Sequence, residues 1–456
     1  MLSVAALGGS SRYDAIQLAA LRPLSVVFLA YGILLYRPGM VIADRRVLSF
    51  LLLWALWLLI QLVPLPPAMW HLLPGREVVV ELDRLVGLES VWRPISFVPT
   101  RGWNALASMV LPIAAVTLVI VLNANKRILL LFVALLALAN AAVALLQIAF
   151  GSGSALYMYR PTNVGAPVGL FANENHSAMF SALGMLISGY LIGSSRTLRE
   201  PPLLNVGYAS LFFFSLLAVF AGGSRFGFAA ALFAAPVAIL LIFLPSAEGR
   251  HAARKSRNGE MGNWLVERPR LLIAVSGIIL LSVFGAFYAS DELPGLNSLF
   301  NENVFEDVRW QTWPILAEMI KRYWIFGIGF GSFEEVYYIF EPTELMLSAY
   351  LNQAHNDLAQ VLIEGGAPAA MLIAWLAAMI VGRLREIGAN RDAGTRELLF
   401  WLAALALVVA ASLVDYPLRT PIFQVSLAFM LISLFADVSH GRSVKKKRRQ
   451  SKITRH

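Results

Sequence analysis

Few side chains in this 456-residue chain are equipped for chemistry, and their types narrow what that chemistry can be. With no cysteine there are no thiolate nucleophiles, thiolate metal ligands or disulfides. No Asp-x-Asp and no His-x-x-x-His occurs, so a metal-dependent mechanism has no visible ligand set, and no cofactor is implied. Of six histidines, His251, His440 and His456 fall in basic segments, whereas His71, His176 and His355 stand in polar stretches between apolar runs. His355 lies in Ala354-His355-Asn356-Asp357-Leu358-Ala359-Gln360, which continues to Glu364-Gly365-Gly366. If this stretch is helical, Asn356 and Gln360 share a face and His355 lies near Leu358 and Ala359. An imidazole there can act as a base or a hydrogen-bond donor; the competing reading is an ordinary hydrated histidine at a membrane edge.

Arginine is the other candidate. Arg225, in the short turn Gly222-Gly223-Ser224-Arg225, reads equally as a headgroup anchor or as a ligand for an anion. Arg309, in Asp307-Val308-Arg309-Trp310, has Glu306 and Asp307 as ready ion-pair partners. Gly327-Ile328-Gly329-Phe330-Gly331 has the glycine content of an anion-binding backbone nest, but it follows no strand, so a dinucleotide fold is not credible.

The elements that must hold these residues are transmembrane. A chain that is 58% hydrophobic and 14% charged, with a mean hydropathy of +0.68, is too apolar for a soluble domain. A hydrocarbon core about 30 Å thick needs roughly 20 apolar residues per helix, and lipid offers the backbone no hydrogen-bond partner, so continuous runs must be helices. The expected fold is an all-α transmembrane bundle of about eleven spans at 22–36, 47–63, 104–122, 128–150, 177–192, 204–221, 226–244, 271–289, 367–381, 398–413 and 421–435.

Lys and Arg concentrate in alternate loops, around Arg37, Arg45 and Arg46; Lys126 and Arg127; Arg196 and Arg199; Arg250 to Arg257; Arg383 to Arg396; and in a basic tail, 438–456. That is the positive-inside pattern, and it attributes the net charge of +9 to topology rather than to nucleic acid. Residues 1–437 form the membrane domain. Stretches 64–103, 151–176, 222–225 and 290–366 then face away from the cytoplasm. The last contains an amphipathic run, 305–323, with Val308, Trp313, Leu316, Met319 and Ile320 near helical spacing, expected to lie along the membrane surface or to fold back over the bundle. An odd number of spans with a cytoplasmic tail puts the N-terminus outside, which suggests either a further span before Met1 or an N-out anchor.

Taken in order, Gly169-Leu170-Phe171-Ala172-Asn173-Glu174-Asn175-His176, Gly223-Ser224-Arg225, Asp307-Val308-Arg309-Trp310 with Gly327-Ile328-Gly329-Phe330-Gly331-Ser332-Phe333, and His355-Asn356-Asp357 with Glu364-Gly365-Gly366 resemble the O-antigen ligase and polymerase superfamily. Arg419, in Asp415-Tyr416-Pro417-Leu418-Arg419-Thr420-Pro421, is similar to that family's last outer turn. The resemblance runs from about residue 45 to residue 437.

It implies a metal-independent membrane glycosyltransferase at the periplasmic face of a bacterial inner membrane. The donor would be a glycan on a polyprenyl pyrophosphate, and the acceptor a glycan or lipid-linked acceptor, with membrane lipid around both. Carried over by motif, Arg225 and Arg309 hold the pyrophosphate and His355 activates or orients the acceptor hydroxyl. Arg160 and Arg419 are further candidates for the anion, and Asn175, His176, Asn356, Asp357 and Glu364 are candidates for substrate contact, the last three also for orienting His355. With no metal motif, fixed cations must neutralise the leaving charge, and the planar guanidinium suits phosphate oxygens. Polymerase and ligase remain equally compatible. The alternative class is a non-enzymatic transporter or flippase of a lipid-linked glycan, although transporters keep their polar groups near the bilayer midplane.

Overall fold

The computed structural model describes residues 1–37, 45–161, 165–198, 200–244, 311–345, 352–389 and 394–436. The expected span at 271–289, the Asp307-Val308-Arg309-Trp310 motif, the start of the amphipathic run and the basic tail lie outside the described residues. Within them the chain is helical, its single β contact being an antiparallel bridge between Leu65 and Arg93. The helices are α1 (Leu2–Leu7), α2 (Leu18–Leu35), α3 (Arg45–Gln61), α4 (Pro67–Trp70), α5 (Glu77–Leu85), α6 (Pro99–Ser108), α7 (Val110–Val121), α8 (Lys126–Phe150), α9 (Glu174–Leu198), α10 (Pro202–Ala221) and α11 (Arg225–Phe243). After the undescribed stretch come α12 (Trp313–Tyr323), α13 (Phe333–Tyr337), α14 (Asp357–Ala389), α15 (Gly394–Val414) and α16 (Pro421–Phe435).

Eight helical stretches among the described residues are long and apolar enough to cross a membrane, α6 and α7 counting together. The 17-residue α3 and the 15-residue α16 occupy two more of the expected spans. The helices start where the sequence supplies caps: the Asn125 side chain accepts from the Ile128 N–H at 3.0 Å at the head of α8, and the Ser224 hydroxyl accepts from the Gly227 N–H at 2.9 Å at the head of α11. Proline occupies the first turn of α6, α10, α12 and α16, where its missing N–H costs nothing.

Lipid is as apolar as leucine, so helices in a bilayer associate by close packing of small residues rather than by exclusion of water. The α9–α11 pair shows this. A Cβ added at Gly189 would lie 2.3 Å from the Ala238 carbonyl oxygen, and one at Gly193 would lie 2.4 Å from that of Leu241. Facing them, Ala230, Ala231, Ala234, Ala235 and Ala238 are buried along α11. Helix α9 is thereby sunk in the middle of the bundle, touching α8, α10, α11 and α15.

One end of the bundle is bound together by the basic residues of the sequence pattern. Lys126 pairs with Glu397 and Arg127 with Glu200, tying the heads of α8, α10 and α15. Arg396 donates to the carbonyls of Gly193 and Leu244, and Arg383 to those of Leu434 and Ala436 at 2.9 Å, so cations satisfy carbonyls at the ends of α11 and α16 that lack intrahelical partners. The opposite end holds the starts of α9, α11 and α14 and the end of α15. The N-terminal segment packs there too: Gly8 accepts from the Ile422 N–H and Gly9 from the Ala172 N–H, both at 3.1 Å, and the Gly9 N–H donates to the Tyr159 hydroxyl at 2.9 Å.

Candidate active site

The centre of that end is a carboxylate between two imidazoles. Asp415, the first residue beyond α15, is 2% exposed, and one of its oxygens lies 3.4 Å from His355 Nδ1 and 3.6 Å from His176 Nε2. The same oxygen accepts from the Tyr416 N–H at 2.9 Å, and the Tyr416 ring stands edge-on to both imidazoles, its centroid 4.9 Å from that of His355 and 5.1 Å from that of His176. Burial pushes the Asp415 carboxyl up, but the His176 and His355 imidazoles beside it more than reverse that and hold it well below the ordinary carboxylate value. A carboxylate at Nδ1 favours the tautomer with a proton there, leaving His355 Nε2 to accept one. His176 is 1% exposed, whereas the His355 side chain is 22% exposed, so His355 is the more accessible imidazole of the pair.

His355 is not helical as the spacing had allowed. Its φ is +46°, a left-handed conformation that a non-glycine residue adopts only when its surroundings impose it, and the helix begins two residues later. Asn356 caps α14, its side chain accepting from the Ala359 N–H at 2.9 Å and donating to the Leu413 carbonyl at 3.0 Å. The residue facing His355 is thus Asp415, rather than Asn356, Asp357 or Glu364.

The first turn of α9 supplies the next link. Asn175 Nδ2 donates to the second oxygen of Asp415 at 2.9 Å, and its Oδ1 accepts from the Ser224 hydroxyl at 2.7 Å. Ser224 caps α11, whose first residue is Arg225. The 168–171 turn ahead of α9 is itself held from within α8. Gln147 Oε1 accepts from the N–H groups of Val168 and Gly169 at 2.8 Å each, and Asn140 Oδ1 accepts from that of Leu170 at 3.0 Å. Gly169 is at φ +58°, and a Cβ there would meet Asn140 Oδ1 at 2.3 Å, which is why the motif opens with glycine.

Glu364 is the second buried carboxylate, 0% exposed. Its Oε2 receives Arg419 Nη2 at 2.8 Å, while its Oε1 accepts from the N–H groups of Gly331 at 3.1 Å and Phe333 at 3.3 Å and from Gln360 Nε2 at 3.2 Å. The glycine-rich turn therefore does form a nest, and the anion in it is the protein's own. Its other donors are spent as well: the Phe330 N–H on Gln61 Oε1 at 3.3 Å, that of Gly329 on the Glu364 carbonyl and that of Ile328 on the Ile363 carbonyl, both at 3.0 Å. The close approach needs glycine on both sides, since a Cβ at Gly327 would stand 2.2 Å from the Glu364 carbonyl oxygen and one at Gly366, where α14 kinks at φ +60°, 2.6 Å from the Gly327 nitrogen.

Arg419 Nε also lies 3.8 Å from Asp357, whose other oxygen accepts from the Leu418 N–H at 3.3 Å. Arg419, Asp357 and Glu364 so form one internal cluster that ties the last turn to α14. Arg160 is exposed on the loop between α8 and α9, away from these contacts; Arg309 lies outside the described residues. His71 packs its ring edge-on to Trp70 at 4.2 Å, apart from the cluster. The amphipathic run holds as α12, with Ile315, Leu316, Met319 and Tyr323 buried, though Trp313 is exposed. Sequence reading passed over Asp415 as an orienting group and Asn140, Gln147 and Gln61 as supports. A polar or charged side chain at or inside an apolar run was the available signal.

The family model described as O-antigen ligase matches residues 210–374, a stretch that includes Arg225, the glycine-rich turn, His355 and Glu364. No curated protein matches the chain.

Proposed function

We propose, on the premise that this is a multi-pass membrane protein of the O-antigen ligase and polymerase superfamily, that it transfers or polymerises a glycan from a polyprenyl-pyrophosphate donor at the outer face of a bacterial inner membrane. The observation that carries this reading is His355 backed by the buried Asp415 at the bundle end where Arg225 also begins its helix. In this mechanism His355 Nε2 takes the proton of an acceptor hydroxyl as its oxygen bonds to the anomeric carbon. The bond from that carbon to the pyrophosphate oxygen breaks, and the polyprenyl pyrophosphate leaves with its electron pair. Arg225, joined by Arg309 according to the motif resemblance, neutralises the departing charge, and Asp415 stabilises the imidazolium that forms. A single displacement of this kind inverts the anomeric centre, as the resemblance implies.

Arg419 has a different part in this reading. Its pairing with Glu364 supports a role in bracing α14, with the anion left to Arg225 and Arg309. Asn356, Asp357 and Glu364 likewise act by holding that helix start.

The test is reconstitution of the purified protein in detergent with a defined lipid-pyrophosphate glycan and candidate acceptors. Detergent abolishes transport, so glycan transfer there supports an enzyme and its absence favours a flippase. His355→Ala is expected to end transfer while leaving the protein monodisperse; full activity in that variant would refute the assignment.

A further inference from the structure

We infer that Asn175 is a positioning residue that sets the separation between the arginine holding the leaving pyrophosphate and the histidine activating the acceptor. The inference rests on the proposed transfer reaction. Motif resemblance alone would make Asn175 a substrate contact, but both ends of its side-chain amide are committed to protein groups on different helices: Oδ1 to the Ser224 hydroxyl at 2.7 Å, and Nδ2 to Asp415 at 2.9 Å. The Ser224 hydroxyl that donates to Asn175 also accepts from the Gly227 N–H at 2.9 Å, so it fixes the first turn of α11 and with it the root of Arg225. The Asp415 carboxylate that receives Asn175 turns its other oxygen to His355. One carboxamide therefore stands between the two halves of the reaction. Its own backbone is fixed as well, the Asn175 N–H donating to Asn173 Oδ1 at 2.8 Å.

The chemistry of the residue fits no close substitute. A carboxylate at this position would face Asp415 as a like charge, and serine would not span the gap between two side chains on separate helices. The amide offers an acceptor to the hydroxyl and a donor to the carboxylate at once, with a reach that meets both. Helices α9 and α11 also touch here, a Cβ at Gly227 falling 2.3 Å from that of Ala178, so the bridge rests on a tightly packed support. A displacement of about 1 Å between reacting groups costs on the order of 100-fold in rate, which sets the scale of what a lost bridge would do.

The experiment compares Asn175→Ala, Asn175→Asp, Ser224→Ala and the Asn175→Ala/Ser224→Ala double variant of the full chain in detergent. Turnover is divided by the number of sites that bind farnesyl pyrophosphate, a soluble probe for the donor's lipid pyrophosphate, which removes any loss of folded protein from the comparison. Each single variant is expected to retain probe affinity within about threefold while losing about 10- to 100-fold in turnover per site. The double variant should lose less than the product of the two single losses, because the Ser224–Asn175 bond is common to both, while Ser224→Ala also removes the α11 cap. Wild-type turnover per site in Asn175→Ala, or losses that multiply in the double variant, would overturn the inference. So would lost probe affinity with normal turnover at saturation, which would make Asn175 a ligand contact. Should the alanine variant fail to fold, Asn175→Asp keeps the shape and decides the matter by the same ratio. Failure of the underlying reaction is visible separately, as a wild-type protein that transfers nothing or a His355→Ala variant that transfers normally.

Discussion

Replacing Asp415 by Asn keeps the shape of the side chain and removes its charge. Two consequences follow from its contacts. The oxygen that faces His355 at 3.4 Å and His176 at 3.6 Å no longer carries the charge that stabilises an imidazolium. In addition, an amide has one oxygen where two are used: if it stays with the Tyr416 N–H, the NH2 group confronts the donating NH2 of Asn175, and if it turns to Asn175, the Tyr416 N–H loses its acceptor. A hydrogen bond to a charged group contributes about 1.5–3 kcal/mol, and each 1.36 kcal/mol on the barrier is tenfold, so turnover should fall roughly 10- to 150-fold. The assay is transfer from a defined lipid-linked glycan at saturating donor, with size-exclusion behaviour as the control for folding. Turnover within twofold of wild type in a well-folded variant would refute the role given to Asp415. The pH dependence of stability has a definite sign as well. With its carboxyl held below the ordinary 3.8, Asp415 contributes fully above that pH, and its contribution is lost only as pH falls through the depressed value. A gap in thermal midpoint between wild type and Asp415→Asn should thus persist down to about pH 4 and close only at stronger acidity.

Two further changes probe the scaffold. Glu364→Ala would leave Arg419 and the N–H groups of Gly331 and Phe333 without their acceptor; because Arg419 keeps 21% exposure the loss should be about 3 kcal/mol, the lower end for a broken buried pair, read as a fall in the detergent unfolding midpoint. Gly189→Val would drive a side chain into the Ala238 carbonyl and cost about 1–3 kcal/mol, whereas a change at Gly207, around which a Cβ meets nothing within 4 Å, should be nearly neutral on packing grounds.

The spans were readable because hydropathy is a local property and lipid imposes it strictly. Where the sequence reading fell short, the structure places polar groups against partners far along the chain. The span expected at 367–381 is the later part of α14, which begins at Asp357; the sequence left the helical state of Asp357, Gln360 and Glu364 open because their partners at 331, 333, 418 and 419 are distant along the chain. The glycine-rich turn advertised its capacity to hold an anion and gave no sign that the anion would be Glu364. Asp415 was in view beside Arg419, yet its meaning depends on His355 and on Asn175, which no spacing rule connects to it. His355 itself was singled out by its motif, and its left-handed backbone was not foreseeable from residue type.

The long reach of these contacts also bears on when the protein becomes competent. Asn175 and Asp415 are 240 residues apart, and at a synthesis rate of about 5–20 residues per second the asparagine waits roughly 12–48 s for its carboxylate. Gly8 closes against the start of α16 only after a longer wait, since its partner is Ile422. A nascent chain paused or cleaved before its last turn has neither the carboxylate that faces His355 Nδ1 nor the acceptor for the Asn175 amide, so the polar cluster at this end of the bundle closes only after residue 415 has been made.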